Sequence, residues 1–234
     1  MELRIKTIGY MLPSIVLPPV LLAAMAWYEF QYSAVASLAV IVLAILPFFY
    51  AFERSRPRPR DMVPIAVMSA LGALGRALFA AVPNFKPTSA VVIITGIYFG
   101  PRAGFLTGAL SALASNMLLG QGPWTPWQMY AWGMIGLFAG LLGRGEKKRY
   151  RILLYLFGFL SGIFFGWFMN LQYIISYIGP VTWASVAAAY ASSVVFDVTH
   201  GMATVIFLAV LEKPWGKKLR RLKIKYGILD ERKM

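Results

Sequence analysis

The chain has 234 residues, 59% of them hydrophobic and 14% charged, with a formal net charge of +14. Soluble domains sit nearer half apolar and about a quarter charged, so the composition excludes an ordinary soluble domain and points to a bilayer as solvent. The absence of Cys and the single His exclude disulfides, thiolate metal sites and His-rich metal sites, and neither a metal nor a cofactor is expected.

Eight hydrophobic spans are predicted, on the rule that roughly 20 apolar residues cross the hydrocarbon core as a helix. The first runs from Ile8 to Trp27. Met1–Lys6 is only weakly basic, and the apolar stretch behind it holds Pro13, Pro18 and Pro19 without a small-residue cleavage site, so a retained helix is expected rather than a signal peptide. The second span, Ser33 to Phe52, ends at the basic linker Glu53–Asp61. The third runs from Met62 to Val82. Ser89–Phe99 and Arg102–Leu119, the fourth and fifth, are short and are separated by the helix-breaking pair Gly100-Pro101. Short segments are tolerated in a membrane when neighbouring protein satisfies their backbone. A Gly-, Pro- and Trp-rich loop, Gly120–Pro126, leads to the sixth span, Trp127 to Gly143. The basic linker Arg144–Arg151 precedes the seventh, Ile152 to Ile178. The eighth runs from Trp183 to Leu211, and a basic tail, Glu212–Met234, follows. The expected organisation is two N-terminal helices with a linker (1–61), a six-helix membrane core (62–213) and a tail (214–234).

Lys and Arg concentrate in cytoplasmic loops. With both termini in the cytoplasm, all but two of the 23 Lys and Arg residues fall on the inner side. The exceptions are Lys86, in an outer loop, and Arg76, inside a span. The charges lie between hydrophobic spans, so the positive balance reads as contact with a membrane surface and not with nucleic acid.

Small residues at four-residue spacing mark close helix packing. They occur at Gly104, Gly108 and Ala112, at Gly133, Gly136, Gly140 and Gly143, and at Gly158, Gly162 and Gly166. These are read as packing within the bundle. Ala66 and Ala70, beside the Arg-rich linker, are the pair that suggests an exposed face for a partner protein.

Ionisable groups within spans are functional candidates. Arg76 shares a helix face with Ser69 and Gly72, and Asp197 and His200 share one with Ser193 and Thr204. Arg76 and Asp197 lie roughly 9 and 20 Å below the outer ends of their spans, and an Arg76–Asp197 pair is expected, as a structural tie or as part of a binding cavity. Asn116 and Asn170 lie toward the outer ends of their spans, and Asn170 shares a face with Tyr173 and Tyr177. With Asn84, Phe85, Lys86, Gln121, Trp124, Trp127 and Gln128 from the outer loops, they would form an amphipathic cavity open to the outside, suited to a large, flat, partly polar small molecule. Any single Trp here is also a candidate interface anchor.

No G-x-x-x-x-G-K-[ST] is present, so no P-loop ATPase is expected in this chain. Ser161 and His200 lie at similar predicted depth, which leaves an intramembrane Ser–His hydrolase as a remote alternative.

From Pro64 to Pro214 the order of features resembles the substrate-binding (S) component of energy-coupling-factor (ECF) vitamin importers. The matching stretches are GRALFAAVPNFKP (75–87), ITGIYFGPRAGFLTGALS (94–111), GQGPWTPWQ (120–128), GWFMN (166–170) and FDVTH (196–200). Within that family the chain looks most like the branch associated with cobalamin. The resemblance implies a six-helix core with a vitamin captured from the outer side under the loop after the first core helix. It implies no catalysis by this chain, since a transmembrane coupling subunit and two separate ATPase subunits supply the energy. The family's alanine motif for docking the coupling subunit maps onto Ala66 and Ala70, and delivery is expected by toppling in the membrane. Within transport, riboflavin or a modified base is the alternative ligand. The two N-terminal spans and the long basic tail depart from the family's usual pattern.

Overall fold

The computed structural model describes residues 2–27, 33–143 and 148–229. Among them the chain is entirely helical: α1 (Glu2–Trp27), α2 (Ser33–Arg54), α3 (Pro59–Leu78), α4 (Thr88–Phe99), α5 (Pro101–Leu119), α6 (Trp124–Leu142), α7 (Lys148–Tyr177) and α8 (Trp183–Tyr226). Four stretches, Ala34–Arg54, Pro59–Leu78, Tyr150–Tyr177 and Trp183–Tyr226, are long and apolar enough to cross a bilayer. The chain is an all-α, multi-pass membrane protein.

The short fourth helix is the centre of the bundle. At about 1.5 Å per residue its 12 residues reach only about 18 Å, well short of a hydrocarbon core of about 30 Å. Every one of those residues is buried, and α3, α5, α6 and α8 pack around them. Neighbouring protein, not lipid, therefore surrounds its backbone, the condition under which so short an element is stable at membrane depth. It ends where Gly100 takes φ 99°, a backbone conformation open to glycine at no steric cost, and Pro101 starts α5 at the position that needs no N–H partner.

The glycine stripes are internal seams. A Cβ on Gly104 would overlap the Gly136 carbonyl, one on Gly108 the Trp132 carbonyl, and one on Gly140 the backbone of Pro101, so α5 and α6 approach backbone to backbone. Gly162 of α7 meets Gly201 of α8 in the same way. Ala66 and Ala70 differ: both are exposed on α3, alongside the exposed Met62, Val63, Val67, Leu71 and Leu74. The opposite face of α3 is buried through Ile65, Met68, Ser69, Gly72 and Ala73.

The two N-terminal helices seal another side of the bundle. Leu22, Ile41, Ala44, Ile45 and Phe48 join Phe105, Trp127, Tyr130 and Phe168 in one apolar cluster. Phe48 stacks on Phe105 at 3.7 Å, and the Tyr130 hydroxyl donates to the Ser14 carbonyl at 2.8 Å. These helices pack on α5, α6 and α7, away from the exposed face of α3.

The basic tail expected from Glu212 onward is instead the continuation of α8, a helix of 44 residues. At about 1.5 Å per residue it is about 66 Å long, twice what a bilayer core requires. Its far end folds back against the bundle. Tyr98 donates to Glu212 at 2.8 Å, Gly216 lies against the Tyr98 hydroxyl, and Lys223 donates to the Tyr98 carbonyl at 3.0 Å. Beyond the helix, the Leu229 N–H donates to Asp61 at 2.7 Å and Arg58 donates to the Gly227 carbonyl at 3.1 Å. Asp61 also accepts from the Arg58 backbone N–H, capping the start of α3. Sequence reading ended the helix at Leu211 because charge density rises there. The structure continues it because Leu219, Ile228 and Leu229 find apolar partners, Ile65 among them, in the central core.

Candidate functional site

At the end of the bundle opposite Asp61, one connected polar chain threads α3, α5, α6, α4 and α8. Arg76 stands on the α3 face carrying Ser69 and Gly72, and that whole face meets α5. Ser69 donates to the Thr107 carbonyl at 3.4 Å, Ser111 donates to the Ser69 carbonyl at 3.3 Å, and Gly72 leaves just the room Ser111 needs. One turn further on, Arg76 Nη1 donates to Ser115 Oγ at 2.7 Å and to Asn116 Oδ1 at 2.6 Å. Its guanidinium carbon sits 5.1 Å from the centre of the Trp132 ring, within the range of cation–π attraction.

Asn116 is 1% exposed and has its side chain fully engaged. Its amide donates to Thr125 Oγ1 and to Gln128 Oε1, both at 2.9 Å, and Thr125 donates in turn to Gln121 Oε1 at 2.8 Å. On the other branch, Trp132 Nε1 donates to Ser89 Oγ at 2.9 Å, and Ser89 Oγ lies 2.8 Å from His200 Nε2. The serine hydroxyl, already an acceptor from Trp132, can donate its proton to the histidine. Phe165 packs at 4.3 Å on Trp132 and at 5.0 Å, edge-on, on His200. The loop from Phe79 to Pro87 packs beside this region. Phe79 and Phe85 both pack on Phe207 of α8, at 5.3 and 5.4 Å, so the loop reaches from α3 across to α8. Asn84 takes φ 53° at its turn, a conformation Asn adopts more readily than most residues. Lys86 donates to the Val82 carbonyl at 3.3 Å. Its ammonium is pushed below its ordinary range, chiefly by burial and next by the charge of Arg76.

Of the residues nominated from sequence, Arg76, Asn116, Gln121, Gln128 and His200 belong to this connected chain, and Asn84, Phe85 and Lys86 belong to the loop beside it. Trp124 is half-buried against Gly122 at the start of α6. Trp127 is 1% exposed and packs on Phe168 at 5.2 Å, in the apolar cluster with α2. Tyr173 is exposed and packs on Tyr177 at 5.7 Å.

The expected Arg76–Asp197 pair does not form. Asp197 is held on the α7–α8 seam, where it touches Gly166 and accepts from Ser193 at 2.9 Å; Asn170 donates to the same Ser193 at 2.6 Å. Gly166 has no side chain, so the carboxylate fills that gap, and Arg76 turns to α5 and α6 instead. Ser161 and His200 do not meet as nucleophile and base. Ser161 donates to the Gly158 carbonyl of its own helix at 2.8 Å, while the His200 Nε2 is engaged with Ser89.

Sequence reading missed Ser89, Ser115, Thr125, Trp132 and Phe165. One signal was available: Trp132 lies within an apolar helix, and a buried indole N–H requires an acceptor. Nothing in the order of residues identified Ser89 as that acceptor.

Comparison with known proteins accords with this architecture. The profile of the family described as ECF-type riboflavin transporter, S component, matches residues 58–221, well over half of the chain. A UPF0397 protein of Vibrio atlanticus is 32% identical over 95 residues, covering 38% of this chain and 52% of its own length. A UPF0397 protein of Aliivibrio salmonicida is 29% identical over 101 residues, covering 41% of this chain and 55% of its own. The chain thus spans about half the length of the curated relatives it matches. No solved structure matches. The chain belongs to the ECF S-component family, whose members are substrate-binding subunits of membrane transporters and not enzymes.

Proposed function

We propose that, as an S component, this chain captures an organic micronutrient at the Arg76 end of the bundle and passes it to an ECF coupling subunit driven by two ATPases. The Arg76 end faces the outside and both termini face the cytoplasm. The observation that carries the reading is the connected polar chain Gln128–Asn116–Arg76–Trp132–Ser89–His200, lined by Phe165, with the Phe79–Pro87 loop packed beside it. It combines a few placed polar groups with aromatic walls, as small-molecule sites do. The orientation is supported by the sequence positions of Lys and Arg: apart from Arg76 and Lys86, those of residues 58–226 lie at the start of α3, the start of α5, the segment between α6 and α7 with the start of α7, and the last part of α8.

Two ligand classes have support. A flavin-like ring is favoured by the description of the family whose profile spans residues 58–221. A corrinoid such as cobalamin is favoured by the sequence resemblance, which covers Pro64 to Pro214. Isothermal titration of the purified protein with each decides between them, and failure to bind either rejects both.

Docking of the coupling subunit is assigned to Ala66 and Ala70, whose exposure on α3 supports it. The N-terminal helices, packed elsewhere, leave that face clear. Replacing both alanines with Arg is expected to abolish co-purification with the coupling subunit while leaving ligand binding intact. Persistent association would remove the assignment.

A further inference from the structure

The Arg76 end of the bundle carries positive charge that the described part of the protein does not neutralise. Helices α3 to α8 contain three carboxylates. Asp61 and Glu212 are committed at the opposite end, to Arg58 and Leu229 and to Tyr98. Asp61 lies about 22 Å along α3 from Arg76, from 15 residues at about 1.5 Å each. Asp197 is committed to Ser193 on the α7–α8 seam. Among the described residues Arg76 therefore has no carboxylate within ion-pair distance, and neither has Lys86. Instead, the charge of Arg76 disfavours that of Lys86.

The way Arg76 is held adds a direction to this. Its hydrogen bonds within the described residues, to Ser115 and Asn116, are both made by Nη1. Its guanidinium carbon lies over the Trp132 ring. The side edge formed by Nε and Nη2 makes no hydrogen bond to any described residue. That edge presents two parallel N–H groups, the fork that matches two oxygens of a carboxylate or phosphate. The neutral partners fix the guanidinium without consuming its charge, and a fixed, partly buried cation without a counterion is a strong attractor for an oxyanion.

We propose that this site takes a ligand bearing an oxyanion, a phosphate or carboxylate, held by the Nε/Nη2 edge of Arg76 with Lys86 of the adjacent loop as the second cation. The inference rests on the micronutrient-capture reading and narrows it, because it separates ligands that share a ring system but differ in charge. Anion binding also gives Lys86 the counterion it lacks.

The test uses full-length protein in lipid nanodiscs at constant ionic strength, with riboflavin 5′-phosphate against riboflavin, which differ by the phosphate alone, and cobalamin against cobinamide, which lacks the whole nucleotide with its phosphate. Inorganic phosphate is a fifth probe, read by thermal shift. The phosphate-bearing member of at least one pair is expected to bind about tenfold more tightly than its partner, the scale of one charge-assisted contact. Arg76→Gln and Lys86→Gln are each expected to shrink that preference. Lys86→Gln, a change in a loop, serves if Arg76→Gln does not fold. Binding of the organic probes with no such preference in either pair overturns the oxyanion inference and leaves capture standing. Stabilisation by inorganic phosphate that is lost in the variants, with none of the organic probes bound, supports the oxyanion site and rejects the flavin and corrinoid readings. No response to any probe overturns both. A preference that survives both substitutions overturns the assignment to Arg76 and Lys86.

Discussion

Asn116 is where the polar chain branches, and two substitutions there separate its structural role from its electrostatic one. Asn116→Ala removes three hydrogen bonds of 2.6 to 2.9 Å from a residue that is 1% exposed. The contact with Arg76 is charge-assisted, worth about 1.5–3 kcal/mol, and the two neutral ones contribute about 1 kcal/mol each. Arg76 keeps Ser115, and Thr125 keeps Gln121. The loss is therefore partial, and about 3 kcal/mol of destabilisation is expected. Asn116→Asp preserves the shape and the acceptor facing Arg76, but gives the guanidinium the counterion it lacks. Thr125 can rotate its hydroxyl to donate, and the Gln128 amide can flip to do the same. The desolvation cost of the new carboxylate is offset by its ion pair, so stability is expected to stay within about 1 kcal/mol of the parent. Binding of an anionic probe, in contrast, is expected to fall by about tenfold or more, because the site's charge is now satisfied internally. Thermal unfolding in detergent reads the first quantity and calorimetric titration the second. If Asn116→Asp binds the anionic probe like the parent, Arg76 is not the anion's partner. If Asn116→Ala unfolds like the parent, the network is not stabilising the bundle.

Gly136→Ala places a methyl group on the Gly104 carbonyl. Because both sides are backbone, neither can yield cheaply, and a loss of about 1–3 kcal/mol is expected by thermal unfolding. Truncation after Tyr226 strips the buried Asp61 of its Leu229 N–H and Arg58 of the Gly227 carbonyl. About 2–3 kcal/mol of destabilisation is expected because Asp61 Oδ1 loses its donor while Oδ2 keeps Arg58, and Asp61→Asn should recover part of it. Lys86 is charged below its depressed pKa and neutral above it. Anion binding is therefore expected to weaken as pH rises through a range below the ordinary 10.5, and a titration of Lys86→Gln should lack that limb. Removal of residues 1–57 uncovers Phe105, Trp127, Tyr130 and Phe168, and the shortened chain is expected to aggregate on detergent extraction. Monodisperse behaviour on size exclusion would show that the N-terminal helices are not needed to cover them.

The order of residues was enough to establish the helices, most of their boundaries and the class of fold. These depend on local properties: the length of apolar runs, the breaker pair at Gly100-Pro101 and the positions of Lys and Arg. The shared face of Ser69, Gly72 and Arg76 was likewise legible, because helical periodicity places them together without any knowledge of a partner. What periodicity cannot supply is the identity of the facing helix. Arg76 and Asp197 looked like a pair because they are opposite charges within apolar spans. The tertiary structure separated them, since α4 occupies the centre of the bundle and Gly166 offers Asp197 a recess on α7. Trp127 and Trp132 are five residues apart on one helix, yet the first faces the N-terminal helices and the second faces Arg76. The extent of α8 was hidden for a related reason: the composition of residues 212–226 is that of a solvated tail, and only the apolar contacts beneath α3 and α4 make it part of the fold. The sequence alone determined the helices and which residues share a face of each. Which of those faces meet, and hence which charge is left without a partner, depended on packing between segments far apart in the chain.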